Sequence, residues 1–408
     1  MKLAFVDNLP VGGGLSRFSL LLCKSLIRNY PDLHIDYFIH NDNLKQIPEI
    51  DNIDPRVNLR VLNSTRPVPL FSRLSQKLIS KTGWKRNNED PVIREIENLV
   101  DEEYSIAYFP SAHMMKRPRL KVPVVGTIHD FNWKYFFGRQ IFPLSFVEMM
   151  DQEVLNWMDQ GLTICSSQDV VNEAIKLYPD SKKFPSVVHI APVIVNTGIS
   201  DERASAILKE LKIDFPYLIF PGNFYPHKNH LNLFTAFSIL KKRPGFKNYK
   251  LVLTGMNSEQ VSKGIAGPRG VQLHTKNSPN SEYDVIGMGY QTNEVIDALI
   301  KKAKLLISSS IYEAICTPGM DAWNFGTPTA ISDIPPFREH EKTWGIRSAF
   351  FNPMNPADMA NVLDSYLNNY DQAIEDGMIS KKNMQTYTWQ NVSKGYMDIF
   401  LKAIKNYS

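Results

Sequence analysis

Short apolar runs of strand length alternate with helical patterns along the whole of this 408-residue chain, and that alternation constrains its fold more than any other feature. In the first half KLAFVDN, IDYFIH, IAYFP, VVGTI and LTICSS are strand-like; in the second, YLIFPG, YKLVLTG, LLISSS and PTAISD are. Strands separated by helices predict parallel sheets covered on both faces, an α/β architecture. The chain is longer than one hydrophobic core usually organises, so two doubly wound domains are expected, divided near HIAPVIVNTGIS. The apolar fraction of 43% is ordinary for a globular protein. No apolar run reaches the roughly 18 residues needed to cross a bilayer. The first residues form a strand rather than a basic segment leading into a long apolar run, so no signal peptide and a cytoplasmic location are expected. Cys23, Cys165 and Cys316 are widely spaced, as core thiols are, and indicate neither a disulfide framework nor a metal site.

Four segments carry chemistry. In Ile311 to Glu339, IYEAICTPGMDAWNFGTPTAISDIPPFRE, the run LLISSS leads into a loop bearing Glu313. Thr317-Pro318 then reads as an N-cap followed by the first helical residue, which places Asp321 in the first turn. Unpaired amides at a helix start bind an anion, and Glu313 and Asp321 can accept hydrogen bonds from sugar hydroxyls beside it. The second segment, PGNFYPHKNHLNLFTAF, reads as strand end, glycine turn and helix, with Lys228 at the helix start, where a cation runs against the dipole unless an anion binds there. The third is the loop Gly12, Gly13 and Gly14 between the first strand and its helix, which lets a ligand approach the backbone closely. The fourth is VPVVGTIHDFNWKYF, whose strand ends at His129 and Asp130, the carboxyl end where sites in parallel sheets gather. Ser166 and Ser167, after LTIC, read as helix caps.

Together these segments resemble the retaining glycosyltransferases of the GT-B fold, the family 4 group, over nearly the full chain. That group carries E-x7-E followed by G-T-P and a later acid; here Glu313 and Asp321 stand for the pair, Gly326-Thr327-Pro328 for the G-T-P and Glu339 for the later acid. The family's G-R-x4-K is present with Asn223 in place of Arg and Lys228 as the Lys, and its T-x-H-D is present as Thr127 to Asp130. Cys316 stands where Gly is usual.

The resemblance implies two Rossmann-like domains facing across a cleft. Residues 1–193 would form the acceptor-side domain and 194–385 the nucleotide-sugar-binding domain, with a helix at 386–408 crossing back. It assigns the catalytic positions to His129, Asp130 and Glu313, and diphosphate binding to Lys228, Asn223, Gly13, Gly14, Thr317, Pro318 and Gly319. Asp321 would hold the ribose. The implied substrates are a nucleotide-diphosphate-sugar donor and a saccharide or lipid-linked acceptor, in surface polysaccharide or glycoconjugate synthesis. The chain contains no D-x-D, the usual metal–diphosphate anchor, so no obligatory metal and no cofactor are expected. A sugar-nucleotide epimerase, a glycan phosphorylase or a non-catalytic binding subunit of the same fold are the alternatives.

Residues 55–88 carry eight Lys and Arg, namely Arg56, Arg60, Arg66, Arg73, Lys77, Lys81, Lys85 and Arg86, and no acid, against a net charge of only +4 for the chain. Apolar residues recur at helical spacing within 70–86, so this segment can present a basic face and an apolar face to an anionic membrane. No nucleic-acid motif accompanies the charge, and nucleic acid is not an expected partner.

Overall fold

The computed structural model describes residues 1–7, 14–46, 53–64, 90–136, 144–192, 199–263 and 284–407. The segment 70–86 and Gly12 and Gly13 lie outside them. The described strands form two sheets. The first contains β1 (Lys2–Asp7), β2 (His34–His40), β3 (Val57–Leu62), β4 (Ile106–Phe109), β5 (Val124–Thr127), β6 (Leu162–Cys165) and β7 (Ser186–Val187), in the order β3-β2-β1-β4-β5-β6-β7. The second contains β8 (Tyr217–Pro221), β9 (Lys250–Thr254), β10 (Val285–Gly287), β11 (Leu305–Ser308), β12 (Thr329–Ser332) and β13 (Ala349–Phe351), in the order β10-β9-β8-β11-β12-β13. The pairings described in both are parallel. Central strands such as LVLT of β9 and LLIS of β11 are buried at every residue, because helices cover both faces.

Strand order reverses direction between β1 and β4 in the first sheet and between β8 and β11 in the second. Such a reversal leaves a crevice outside the carboxyl ends of the strands, where ligands of open α/β sheets bind. The chain after β8 carries Lys228, and the chain after β11 carries Glu313.

The helix Trp389–Tyr407 lies on the first sheet's side, against the helix Gly14–Asn29 and strands β4 and β5. Its buried residues Trp389, Val392, Tyr396, Phe400 and Ala403 recur every three or four positions, the spacing of one helical face. The Ser25 hydroxyl donates to Trp389 O at 2.7 Å, and the Trp389 indole donates to Pro192 O at 2.8 Å. One apolar cluster runs from Leu3 and Phe5 through Trp389 and Tyr396 to Cys316, Met320 and Trp323, joining the floors of the two sheets. All three cysteines are buried free thiols.

Candidate functional site

Lys228 lies before the helix it was expected to open. It ends a 3-10 turn, Pro226–Lys228, and the long helix begins only at His230, after Asn229. The helix-start reading of Lys228 is therefore corrected by one short turn. Asn229 adopts the left-handed conformation (φ 59°), which an Asn tolerates better than most residues. Its carboxamide donates to Ser309 O at 3.1 Å and Pro353 O at 2.7 Å. The Ser309 hydroxyl donates to Lys228 O at 2.9 Å, and Ile311 N–H donates to His227 O at 2.8 Å. Three of these bonds staple the turn after β8 to the loop after β11 and the fourth ties it to Pro353, after β13, and the Lys228 ammonium lies 2.5 Å from Glu313 Oε1.

Ser310 Oγ donates to the same Glu313 oxygen at 2.7 Å. Burial would raise the Glu313 carboxyl, but the Lys228 and His227 charges and the Lys228 and Ser310 hydrogen bonds outweigh it and hold the group below its ordinary value. Glu313 is therefore an anion with a cation against it.

Across the cleft, His129 and Asp130 leave the end of β5. His129 Nε2 donates to Pro110 O at 2.7 Å, which leaves Nδ1 as an acceptor in the neutral ring. Burial lowers this imidazole to about 4, so it stays neutral at physiological pH. Asp130 is pushed up to about 6, first by burial and then by the charges of Glu313 and Glu173, against a hydrogen bond from Asn132 N–H and the Lys228 charge.

The helix after Glu313 begins at Thr317, with Cys316 as its N-cap and no side-chain cap bond. This corrects the expected start at an N-cap Thr317 by one residue, and it moves Asp321 from the first turn into the second, where the side chain is 4% exposed. Cys316 turns its thiol inward: a Cβ built on Gly319 would lie 2.6 Å from that Sγ and 3.2 Å from the Trp323 ring. Gly319 is thus required by the Cys316 thiol beneath it. Gly326 closes the helix in the left-handed region (φ 82°), and Thr327 Oγ1 donates to Ile300 O at 2.9 Å, so the G-T-P triplet is a helix stop tied to its neighbour.

Asn223 does not stand free. Its Oδ1 accepts the Met256 N–H at 2.8 Å, joining the loops after β8 and β9. Gly14 opens the helix Gly14–Asn29, while Gly13 is outside the described residues. Ser167 caps the helix Gln168–Leu177 through Val170 N–H. Ser166 is not a cap: its buried hydroxyl has no hydrogen-bond partner among the described residues.

Sequence reasoning missed Tyr312. Its hydroxyl accepts Phe131 N–H at 2.8 Å and donates to Glu173 Oε2 at 2.7 Å, and its ring lies 4.9 Å from that of Tyr135. It also left Glu339 without a task. That carboxylate accepts Gln168 N–H at 2.7 Å and Asp169 N–H at 2.9 Å, and meets His189 Nε2 at 2.8 Å, so it caps a helix of the other domain.

Three more imidazoles are held neutral by burial: His113, His230 and His340 are each lowered to about 3. Their folded values lie below the unfolded ones, so stability is complete above the unfolded value near 6.5 and is lost as pH falls toward the folded values. Each tenfold weakening of proton binding corresponds to about 1.4 kcal/mol. With His129, four such groups predict a melting temperature roughly 10 °C lower at pH 5 than at pH 7. The carboxyls raised by burial, Asp130, Asp169 and Glu173, oppose this in part. A melting temperature that does not fall between those pH values, followed by circular dichroism, contradicts the burial of these rings.

Residues 205–384 match the family described as glycosyl transferases group 1. The serotype-specific mannosyltransferase WbdA of Escherichia coli is 25% identical over 199 residues, 48% of this chain and 22% of that protein. The matched part is thus a small share of this relative's length. Among solved structures, sucrose-phosphate synthase of Thermosynechococcus elongatus superposes with a TM-score of 0.70 at 14% identity, covering 98% of each chain. HepE of Anabaena, in complex with UDP and glucose, gives 0.67 at 13% identity, covering 98% of this chain and 100% of that one. WaaG, a glycosyltransferase involved in lipopolysaccharide biosynthesis, gives 0.66 at 12% identity, covering 98% and 99%. The two parallel sheets and these superpositions establish the GT-B fold, within which residues 205–384 are similar to the glycosyl transferases group 1 family.

Proposed function

We propose that this chain transfers a sugar, with retention of anomeric configuration, from a nucleotide-diphosphate-sugar to a saccharide or lipid-linked acceptor in polysaccharide or glycoconjugate synthesis. The observation that carries this reading is the Lys228–Glu313 pair at the strand-order switch of the second sheet, facing His129 and Asp130 across the cleft. Lys228 neutralises the departing diphosphate, aided by the helix start at Thr317, Pro318 and Gly319. Glu313 orients the sugar, and Asp321 takes the ribose. His129 offers Nδ1 to a sugar hydroxyl.

In the transfer step the acceptor oxygen bonds to the anomeric carbon as the bond from that carbon to the phosphate oxygen breaks. The acceptor's proton passes to the leaving phosphate on the same face. The UDP and glucose bound to HepE, and the mannosyltransferase relative, support a nucleotide-sugar donor without choosing its base. Lipopolysaccharide synthesis by WaaG supports a glycan acceptor. A peripheral membrane contact through 70–86 belongs to the same proposal. No described helix is long and apolar enough to cross a membrane.

Since the chain carries no D-x-D, transfer is expected to proceed without a divalent ion. The test is transfer after exhaustive EDTA treatment, with the anomeric configuration of the product read by NMR. Undiminished rate and a retained anomer are expected. Loss of transfer that only a divalent ion restores overturns the metal-free reading, and an inverted product overturns retention.

A further inference from the structure

Tyr312 immediately precedes Glu313, and Phe131 immediately follows Asp130. One hydroxyl, Tyr312 Oη, accepts the Phe131 N–H and donates to Glu173, so its donor and one acceptor position are both used across the cleft. The Tyr312 side of this link comes from the loop after β11. The other side comes from the loop after β5 and from the helix Gln168–Leu177. That helix is gripped a second time at its N-terminus by Glu339, from the helix Pro335–Trp344 of the second domain. Tyr135 and Phe136 pack their rings on Tyr312 at 4.9 and 6.2 Å, which fixes the phenol's orientation. Burial and the charges of Asp130 and Glu173 raise the phenol's pKa, and the group remains a protonated donor. Glu173 is itself raised by burial, partly offset by its hydrogen bonds from Tyr135 and Tyr312.

Two acids that the transferase reading places on opposite walls of the cleft thus have their neighbouring residues joined through a single side chain. We propose that Tyr312 is a positioning residue whose hydroxyl couples the docking of the two domains to the relative placement of Glu313 and Asp130. This rests on the transferase reading above. Lys228 is stapled independently, by the Ser309 and Ile311 bonds, so the diphosphate subsite does not depend on the hydroxyl.

Tyr312→Phe keeps the ring packing and removes only the hydroxyl. Turnover is expected to fall about tenfold, the scale of a sub-ångström misplacement of reacting groups. The nucleoside diphosphate dissociation constant, measured with UDP and GDP, is expected to stay within about twofold, because phosphate affinity resides in a charged contact that this change leaves in place. Glu173→Ala is expected to lower turnover similarly, and the double variant is expected to be no slower than the slower single variant, since both cut one link. Glu173→Gln keeps an acceptor for the phenol and is expected to recover most of the rate. Deuterium exchange in the peptide containing Phe131 is expected to be faster in Tyr312→Phe. Unchanged turnover in Tyr312→Phe overturns the proposal, as does a loss of nucleotide affinity equal to the loss of rate. Wild-type protein that turns over no donor overturns the transferase reading instead. The docking link is then decided by exchange at Phe131, where acceleration supports it and an unchanged rate refutes it.

Discussion

Lys228→Ala is expected to weaken nucleoside diphosphate binding by roughly 10- to 150-fold, the equivalent of the 1.5–3 kcal/mol that a charge-assisted hydrogen bond contributes. Two effects act in the same direction. The variant loses the cation nearest the position proposed for the diphosphate, and it leaves Glu313, a mostly buried carboxylate now without its counter-charge, facing an incoming anion. Asn223→Ala provides the contrast. Because the Asn223 oxygen serves the Met256 amide, that change loosens a loop joint without removing a charge, and a smaller loss is expected. Calorimetric titration with UDP and GDP reads both. Equal affinity in wild type and Lys228→Ala would falsify the diphosphate assignment.

Glu313→Gln is expected to lower turnover by about a hundredfold, the usual loss when one preorganised electrostatic contact to a developing charge is removed. The same change frees the Lys228 ammonium from its partner at 2.5 Å. Nucleotide affinity should therefore hold or improve while the rate falls. Asp321→Asn should do the reverse, weakening bare nucleotide through a lost ribose contact with a smaller effect on the bound complex's rate. Steady-state kinetics with parallel nucleotide titrations separates the two. If both variants change the same parameter, the assignment of one acid to the sugar and the other to the ribose is wrong.

The interior of both sheets was legible in the sequence because strands buried on two faces must be apolar throughout. The runs at β1, β2, β4, β5 and β6, and at β8, β9, β11 and β12, announce themselves in this way. The strands that escaped, β3, β7, β10 and β13, are the four sheet edges. They are short or half exposed, and β3 alternates half-buried with exposed residues inside a basic stretch, so no continuous apolar run marks them.

The site divides along a similar line. The placement of Glu313, Lys228, His129 and Asp130 beyond strand ends was legible because turn residues and apolar runs bracket them. Their pairings were not, because they join residues far apart in the chain. Lys228 and Glu313 are 85 residues apart, Glu173 and Tyr312 are 139 apart, and Phe131 and Tyr312 are 181 apart. The first approach depends on β8 lying beside β11 and the other two on the docking of the two sheets, to which local propensity is blind. The one-residue shift at Thr317 has a local cause: the buried Cys316 takes the cap position, with its thiol packed against Gly319.

The most direct test of glycosyl transfer is product analysis with wild-type protein and a panel of UDP- and GDP-sugars. Oligosaccharide and lipid-linked acceptors are supplied, and mass spectrometry follows both products. One donor is expected to yield nucleoside diphosphate and glycosylated acceptor in equal amounts, and Lys228→Ala is expected to abolish both. Tight nucleotide binding with no glycosylated product from any donor would contradict glycosyl transfer and leave a binding protein in a transferase fold.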